Sequence, residues 1–194
     1  IEKPSRTVDG THRNGAGYDI SATTAGADIL VKKARDRGIV TIGIGDGGNE
    51  IGMGNIREAV TDIVSSDIAA TTETDHLIVG ATANWGAYGL EACLAAVADD
   101  PKVMHDRDKE ERIQRATANA GIVDPMTGLS DGWLDGMPPE AGQNVVAQLR
   151  MTAKLQLTEP WQLQQWNSWS ERNEDIQLAI QNHGLRLQKL EKKE

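Results

Sequence analysis

The chain has 194 residues, of which 39% are hydrophobic, with one Cys and no Phe, so we expect one domain of ordinary size with an additional segment. The net charge of −9 argues against nucleic acids and anionic membrane surfaces as partners. The apolar runs are shorter than a bilayer span, and no signal peptide is recognised at the start of the sequence. Cys93 lies in a helical apolar pattern typical of a small buried core residue. We therefore expect a cytoplasmic protein.

The first predicted elements lead into a glycine-rich loop. Apolar positions spaced three and four apart predict a helix over 25–37. The apolar, β-branched run 39–44 predicts a buried strand, and the loop 43–54 that follows it holds six glycines. We expect Asn55 to cap the next helix, which begins directly behind this loop.

The later elements repeat this alternation. They are a short strand at 66–71, a strand at 76–81, a polar turn at 82–86, helices over 87–98, 108–120 and 138–155, and irregular structure at 122–134. Strands that alternate with helices imply a parallel sheet, because a parallel pair needs a crossover connection. We therefore predict an α/β domain over 1–155 with a mainly parallel, three-layer arrangement of sheet and flanking helices. Ligands of such sheets bind beyond the carboxyl ends of the strands, so the loop 43–54 and the turn 82–86 are expected to share that edge.

A change in composition near Leu155 separates a tail, residues 156–194. The tail holds one of the twenty glycines but three of the five tryptophans. Its apolar residues recur at alternating steps of three and four, which is typical of a heptad stripe. We predict an amphipathic helix that either joins copies of the chain in a homo-oligomer or docks in a groove.

The loop 43–54 has the composition of a binding or catalytic site. Its side chains Asp46, Asn49 and Glu50 lie too close together for helix capping alone. Glycine allows a ligand to approach the bare backbone, so N–H groups in this loop are suited to hold a carboxylate or a phosphate; the candidates are Gly45, Gly47 and Gly48. Asp46 and Glu50 are also candidate ligands of a divalent ion, Mg²⁺ or Mn²⁺.

One resemblance of this loop is to the Mg²⁺-binding turn of haloacid-dehalogenase-type phosphatases. Such enzymes need a nucleophilic aspartate in Asp-x-Asp-Gly-Thr after a hydrophobic strand. The nearest match here is Thr7-Val8-Asp9-Gly10-Thr11, in which Thr7 stands at the position of the nucleophile. A phosphate-handling enzyme would therefore need its nucleophile upstream of this chain.

A second resemblance covers roughly residues 1–155. It rests on four segments with matching order and approximate spacing: Asp9-Gly10-Thr11-His12-Arg13-Asn14, the loop 43–54 with Ile56-Arg57-Glu58-Ala59-Val60 behind it, Asn84-Trp85-Gly86-Ala87-Tyr88, and residues 128–136. Together they resemble the C-terminal part of the D-glutamate cyclase family. Members of that family are hydro-lyases that convert D-glutamate to 5-oxo-D-proline with loss of water. The family domain extends upstream of residue 1, and the vertebrate enzyme is mitochondrial, which gives the mitochondrial matrix as an alternative location.

The resemblance implies a small amino diacid as the partner, and the chemistry of closing the lactam suggests roles for the candidate residues. Glu50 or Asp46 would act as the base, with or without a divalent ion on the two. Asn49, Asn84 and backbone N–H groups of the glycine loop would hold the substrate's carboxylates. Trp85 would either wall the pocket or belong to the core, and Asp9 and Asn14 would either contact the ligand or shape their own turn. Besides a cyclase and a phosphate-handling enzyme, the third possible function is a non-catalytic copy whose tail serves as an interaction helix.

Other polar residues receive structural interpretations. His12 is expected to be an exposed loop histidine, and His105 has no paired metal ligand in the sequence. The charged run 106–112 is expected to form the solvated face of a helix.

Overall fold

A computed structural model of the chain describes residues 3–156. Its elements are α1 (Ala27–Asp36), β1 (Ile42–Gly45), α2 (Arg57–Ile63), β2 (His76–Val79), α3 (Ala83–Val97), α4 (Arg107–Asn119) and α5 (Pro139–Gln156), with short 3-10 turns at Ser21–Thr23 and Met53–Ile56. The chain divides into two compact units, Ile1–Ala153 and Lys154–Glu194, and every site residue discussed below belongs to the first. Apart from Gln156, the predicted tail lies outside the described residues.

The α/β class and the parallel pairing are confirmed. In the described part of the chain, β1 and β2 form a two-stranded parallel sheet in which Ile42 pairs with His76 and Gly45 with Val79. The connection between the strands contains α2, as a parallel crossover requires. Both strands therefore end at the same edge, which places the loop after β1 beside the start of α3.

Three local predictions were wrong. Residues 66–71 form turn and extended loop rather than a strand. Helix α3 begins at Ala83, four residues early, because Thr82 caps it: the Trp85 backbone N–H donates to Thr82 Oγ1 at 3.3 Å. Asn55 does not cap a helix, since its side chain exchanges two hydrogen bonds with the backbone of Thr74, at 2.9 Å each.

The apolar core lies between α3, α5 and the segment before α4. It contains one aromatic residue among smaller or aliphatic ones: Tyr88, Ala95, Met104, Val146 and Ala153. Trp85 packs against this cluster. Cys93 is exposed, so its predicted place in the core was wrong. No helix within residues 3–156 has the length and apolar character to cross a bilayer.

A buried polar network lies beside this core and includes one residue of the charged run 106–112. Glu110 is only 4% exposed. Its carboxylate accepts the Tyr88 hydroxyl at 2.5 Å and the Gln114 amide at 3.0 Å, and it lies 3.1 Å from His105 Nε2. The opposite nitrogen of His105 meets the carboxylate of Glu91. Glu110 is therefore the exception in the run 106–112: it is buried with its partners, while the other residues of the run are exposed, as predicted.

Candidate functional site

The glycine loop is organised around the side chain of Glu50. Glu50 is 1% exposed, and its two oxygens accept the backbone N–H groups of Gly47 at 3.0 Å and Gly48 at 2.8 Å. Gly45 lies directly against it, since a Cβ at Gly45 would be 2.9 Å from Glu50 Oε2. The N–H groups predicted to hold the substrate are thus donated to Glu50 in this structure, and substrate binding by Gly47 and Gly48 stays a prediction.

Asp46 is the candidate acid–base group. It follows β1, is half-buried, and accepts the Ala83 N–H at 2.6 Å, which places it at the N-terminus of α3. Burial raises the pKa of Asp46 to about 6, and the negative charges of Glu50 and Asp135 add to the rise, against the lowering effect of the Ala83 hydrogen bond. A carboxyl group with this pKa exchanges protons close to neutral pH, as a general acid or base must. The predicted meeting of the two polar segments is confirmed by this contact.

Asn49 has a positioning role in the structure. Its side-chain amide donates to the Arg13 carbonyl at 2.8 Å, and its backbone carbonyl oxygen accepts the Ser5 N–H at 2.7 Å. Asn49 is 6% exposed. The residue therefore ties the N-terminal segment to the glycine loop.

Replacing Asn49 by Ala is expected to lower the free energy of unfolding by about 1–2 kcal/mol, because the partly buried Arg13 carbonyl loses its side-chain donor. Urea denaturation measures this loss. Asn119→Ala serves as the control, since Asn119 is exposed at the end of α4; that change is expected to stay within about 0.5 kcal/mol. Unchanged stability of the Asn49→Ala protein combined with lost activity would restore the predicted substrate contact.

Asp9 and Asn14 belong to their own turns. Asp9 accepts the hydroxyls of Thr7 and Thr11 at 2.6 Å each and pairs with Arg13 at 2.7 Å. The hydrogen bonds from Thr11, Thr7 and Arg13 hold the pKa of Asp9 below its ordinary value. Asn14 Oδ1 accepts two backbone N–H groups of the turn that follows it, at 3.1 and 2.9 Å. Of the two readings left open, the contacts favour loop structure for both residues.

His12 is buried, which corrects the expectation of an exposed loop histidine. It is 2% exposed, and its Nε2 lies 3.4 Å from the buried carboxylate of Asp28. Arg6 pairs with the same carboxylate. The three residues link the N-terminal segment to α1 and take no part in the glycine loop.

A cavity of about 320 Å³ opens beside the start of α3. Of the predicted site residues it contains Asn84, which lies beside the Tyr88 hydroxyl. The other lining residues come mainly from α4 and from the irregular segment before α5: Glu110, Ile113, Gln114, Thr117, Ile122, Val123, Asp124, Pro125, Gly132, Trp133, Leu134 and Asp135. Trp85 is not among them and belongs to the core instead.

Asp135 joins this cavity to the glycine loop, and sequence reasoning missed it. Its charge interacts with those of Asp46 and Glu50. Burial raises the pKa of Asp135, and repulsion by Asp124 and Glu50 raises it further. Its φ of 50° is a left-handed conformation that Asp tolerates better than most residues. The segment 128–136 carried part of the family resemblance, but nothing local to it distinguishes Asp135 from an ordinary turn aspartate.

The divalent-ion site predicted at Asp46 and Glu50 has no third side-chain ligand among the described residues. Within residues 3–156 no group of three or more His, Cys, Asp or Glu side chains could hold a metal ion. Of the proposed pair, Glu50 already accepts two backbone N–H groups. The suggested Mg²⁺ or Mn²⁺ on Asp46 and Glu50 stays a prediction.

Two comparisons with known proteins bear on this site. The sequence model of the family described as "D-glutamate cyclase-like, C-terminal" matches residues 1–150. Human "D-glutamate cyclase, mitochondrial" is 35% identical over 101 residues, which cover 48% of this chain and 16% of the human protein. The chain thus corresponds to a minor part of the length of this curated relative.

Proposed function

Because the chain belongs to the D-glutamate cyclase-like family, we propose that it takes part in the cyclisation of D-glutamate to 5-oxo-D-proline with loss of water. The observation that carries the proposal is Asp46, a carboxyl group whose pKa burial raises to about 6 at the edge where β1 and β2 end. It lies at the start of α3, close to a cavity of about 320 Å³. A cavity of that volume accommodates a small amino acid.

The reaction needs proton transfer without any net gain or loss of protons. The substrate nitrogen begins as an ammonium group and ends as a lactam N–H, so it releases two protons. The nitrogen lone pair forms the new bond to the γ-carboxyl carbon, and one γ-oxygen leaves. That oxygen takes up both protons and departs as water. A group that accepts a proton at one stage and returns it at another suits this sequence.

Asp46 is proposed as that group. With a pKa of about 6 it is ionised in a useful fraction of molecules near neutral pH and can accept a proton from the substrate nitrogen. The protonated carboxyl then delivers the proton to the departing oxygen. The N-terminus of α3 adds the positive end of a helix dipole, which favours negative charge developing on the γ-carboxyl group.

Glu50 is proposed as a positioning residue. Both of its oxygens are engaged by the backbone of the loop, so it is poorly placed to act as the base. Its negative charge raises the pKa of Asp46. It therefore shapes the loop and helps keep Asp46 able to carry a proton near neutral pH.

Incubation of the chain with D- and L-glutamate tests the proposal. We expect 5-oxoproline to form from D-glutamate, detected by chromatography and mass spectrometry. Parallel reactions with EDTA, Mg²⁺ and Mn²⁺ test the metal prediction. Absence of product from either isomer under all these conditions would contradict the proposal and favour a non-catalytic role.

A further inference from the structure

Two aspartates in the cavity wall have a carboxylate oxygen without a partner. Asp124 Oδ1 and Asp135 Oδ2 are shielded from solvent and make no hydrogen bond within the described structure. Both residues line the same cavity of about 320 Å³. Buried carboxylate oxygens are normally satisfied by a donor, so this pair calls for a ligand that supplies one.

Asp124 is held as an anion. It is 5% exposed, and its Oδ2 accepts the N–H groups of Thr127 at 2.9 Å and Gly136 at 3.2 Å. Burial alone would raise the pKa of Asp124, but hydrogen bonds from Thr127, Gly136 and Asp135 outweigh it and hold the pKa below its ordinary value. The second oxygen, Oδ1, is left with negative charge and no partner. A buried anion of this kind is costly unless a cation neutralises it.

The surroundings of Asp135 add negative charge rather than a cation. Asp124 and Glu50 both repel its carboxylate. Among the described residues that line the cavity there is no Lys or Arg. The third carboxylate in the wall, Glu110, already accepts donors from Tyr88 and Gln114. The unmet demand for positive charge is therefore confined to Asp124 and Asp135.

We infer that Asp124 and Asp135 form the subsite for the ammonium group of the substrate. An ammonium group supplies both the positive charge and the N–H donors that the two free oxygens lack. A divalent metal ion fits less well, because no group of three or more suitable ligands exists within residues 3–156. The inference rests on the proposed function, and it explains how the reacting nitrogen is brought near Asp46, whose charge interacts with that of Asp135.

Binding of two compounds that cannot form a lactam tests this subsite without turnover. D-homocysteate carries the α-ammonium group and a sulfonate in place of the γ-carboxylate, while 4-sulfobutanoate lacks the ammonium group alone. Calorimetry on the full chain near pH 8 is expected to show tighter binding of D-homocysteate, by about tenfold to a hundredfold. The Asp135→Asn variant is expected to lose this preference.

Asp99→Asn is the matched control, because Asp99 also has a positive φ, 52°, but is exposed beyond the end of α3. It is expected to keep the preference.

Asp124→Asn provides a second test, with circular dichroism as the check that it folds. Equal binding of the two compounds by the unchanged chain, or an unchanged preference in folded Asp135→Asn protein, would overturn the subsite. The subsite would also be overturned if the Asp135→Asn protein lost Mn²⁺ binding but kept its preference for D-homocysteate. D-glutamate cyclisation, measured separately, decides the proposed function whatever these binding results show.

Discussion

The Asp46→Asn protein is expected to form 5-oxoproline at least about a hundredfold more slowly than the unchanged chain, while remaining folded. The amide cannot accept or return a proton under the reaction conditions. It can still accept the Ala83 N–H, which in the unchanged chain lies 2.6 Å from Asp46 Oδ2. This single change therefore removes proton transfer by residue 46 but keeps its hydrogen bond to Ala83. Asp99→Asn, at an exposed position, is expected to leave the rate unchanged.

The same variant is expected to change how stability depends on pH. The pKa of Asp46 is 3.8 in a model peptide and about 6 in the folded chain, chiefly because of burial. The folded state binds this proton more tightly, so the stabilisation from the proton is complete below about pH 4 and is lost as the pH rises through about 6. Above that range the unchanged chain carries a partly buried charge that the Asp46→Asn protein does not have.

Melting temperatures from about pH 4 to pH 8 measure this effect. The difference between Asp46→Asn and the unchanged chain is expected to shift in favour of the variant as the pH rises, and to level off above about pH 7. The activity of the unchanged chain provides an independent reading. Its kcat/KM for D-glutamate is expected to rise with pH through about 6, as Asp46 ionises in the free protein. A difference in melting temperature that stays constant across this pH range, or full activity of the variant, would contradict the role assigned to Asp46.

The sheet edge was predictable because its signals are local. A β-branched run, a glycine loop and a second apolar run predict two parallel strands and the edge at which they end. The loop carried Asp46 and Glu50 to that edge by chain connectivity alone. Which of the two is buried within the loop was not predictable, since it depends on backbone angles such as the positive φ of Gly48. Those angles direct two N–H groups at Glu50 rather than at a ligand.

The other side of the cavity depends on tertiary structure. Asp124 and Asp135 lie in irregular structure rich in Gly and Pro, where aspartates are common for local reasons. Only the folded chain places them beside a shared cavity. Glu110 follows the same pattern: within its charged helix it resembles a solvated residue, and its burial requires Tyr88 from α3. Amphipathic patterns identify apolar faces well, but they carry no signal for a buried polar network.

Replacing Gly48 by Ala is expected to be among the most destabilising single changes in the loop. Gly48 has a φ of +109°, which L side chains rarely adopt, and a Cβ there would lie 2.4 Å from Cγ1 of Val60. Val60 is 5% exposed in α2, so it has little room to move aside. Backbone strain of about 1–3 kcal/mol and overpacking of about 1–3 kcal/mol together lower the free energy of unfolding by about 2–6 kcal/mol. That is a large part of the roughly 5–15 kcal/mol that holds a typical domain folded.

The same methyl group added at Gly89 is expected to act in the opposite direction. Gly89 lies within α3, and a Cβ there would meet nothing within 4 Å, so Ala is favoured by about 1 kcal/mol through its helix propensity. Urea denaturation of the two variants compares one chemical change in two backbone settings. Cyclisation is expected to fail with Gly48→Ala, because the Gly48 N–H donates to Glu50 at 2.8 Å and a displaced loop would lose that contact. Equal stability of the two variants would show that the loop accepts a side chain at Gly48, and the account of Glu50 as the centre of a glycine-dependent loop would then be wrong.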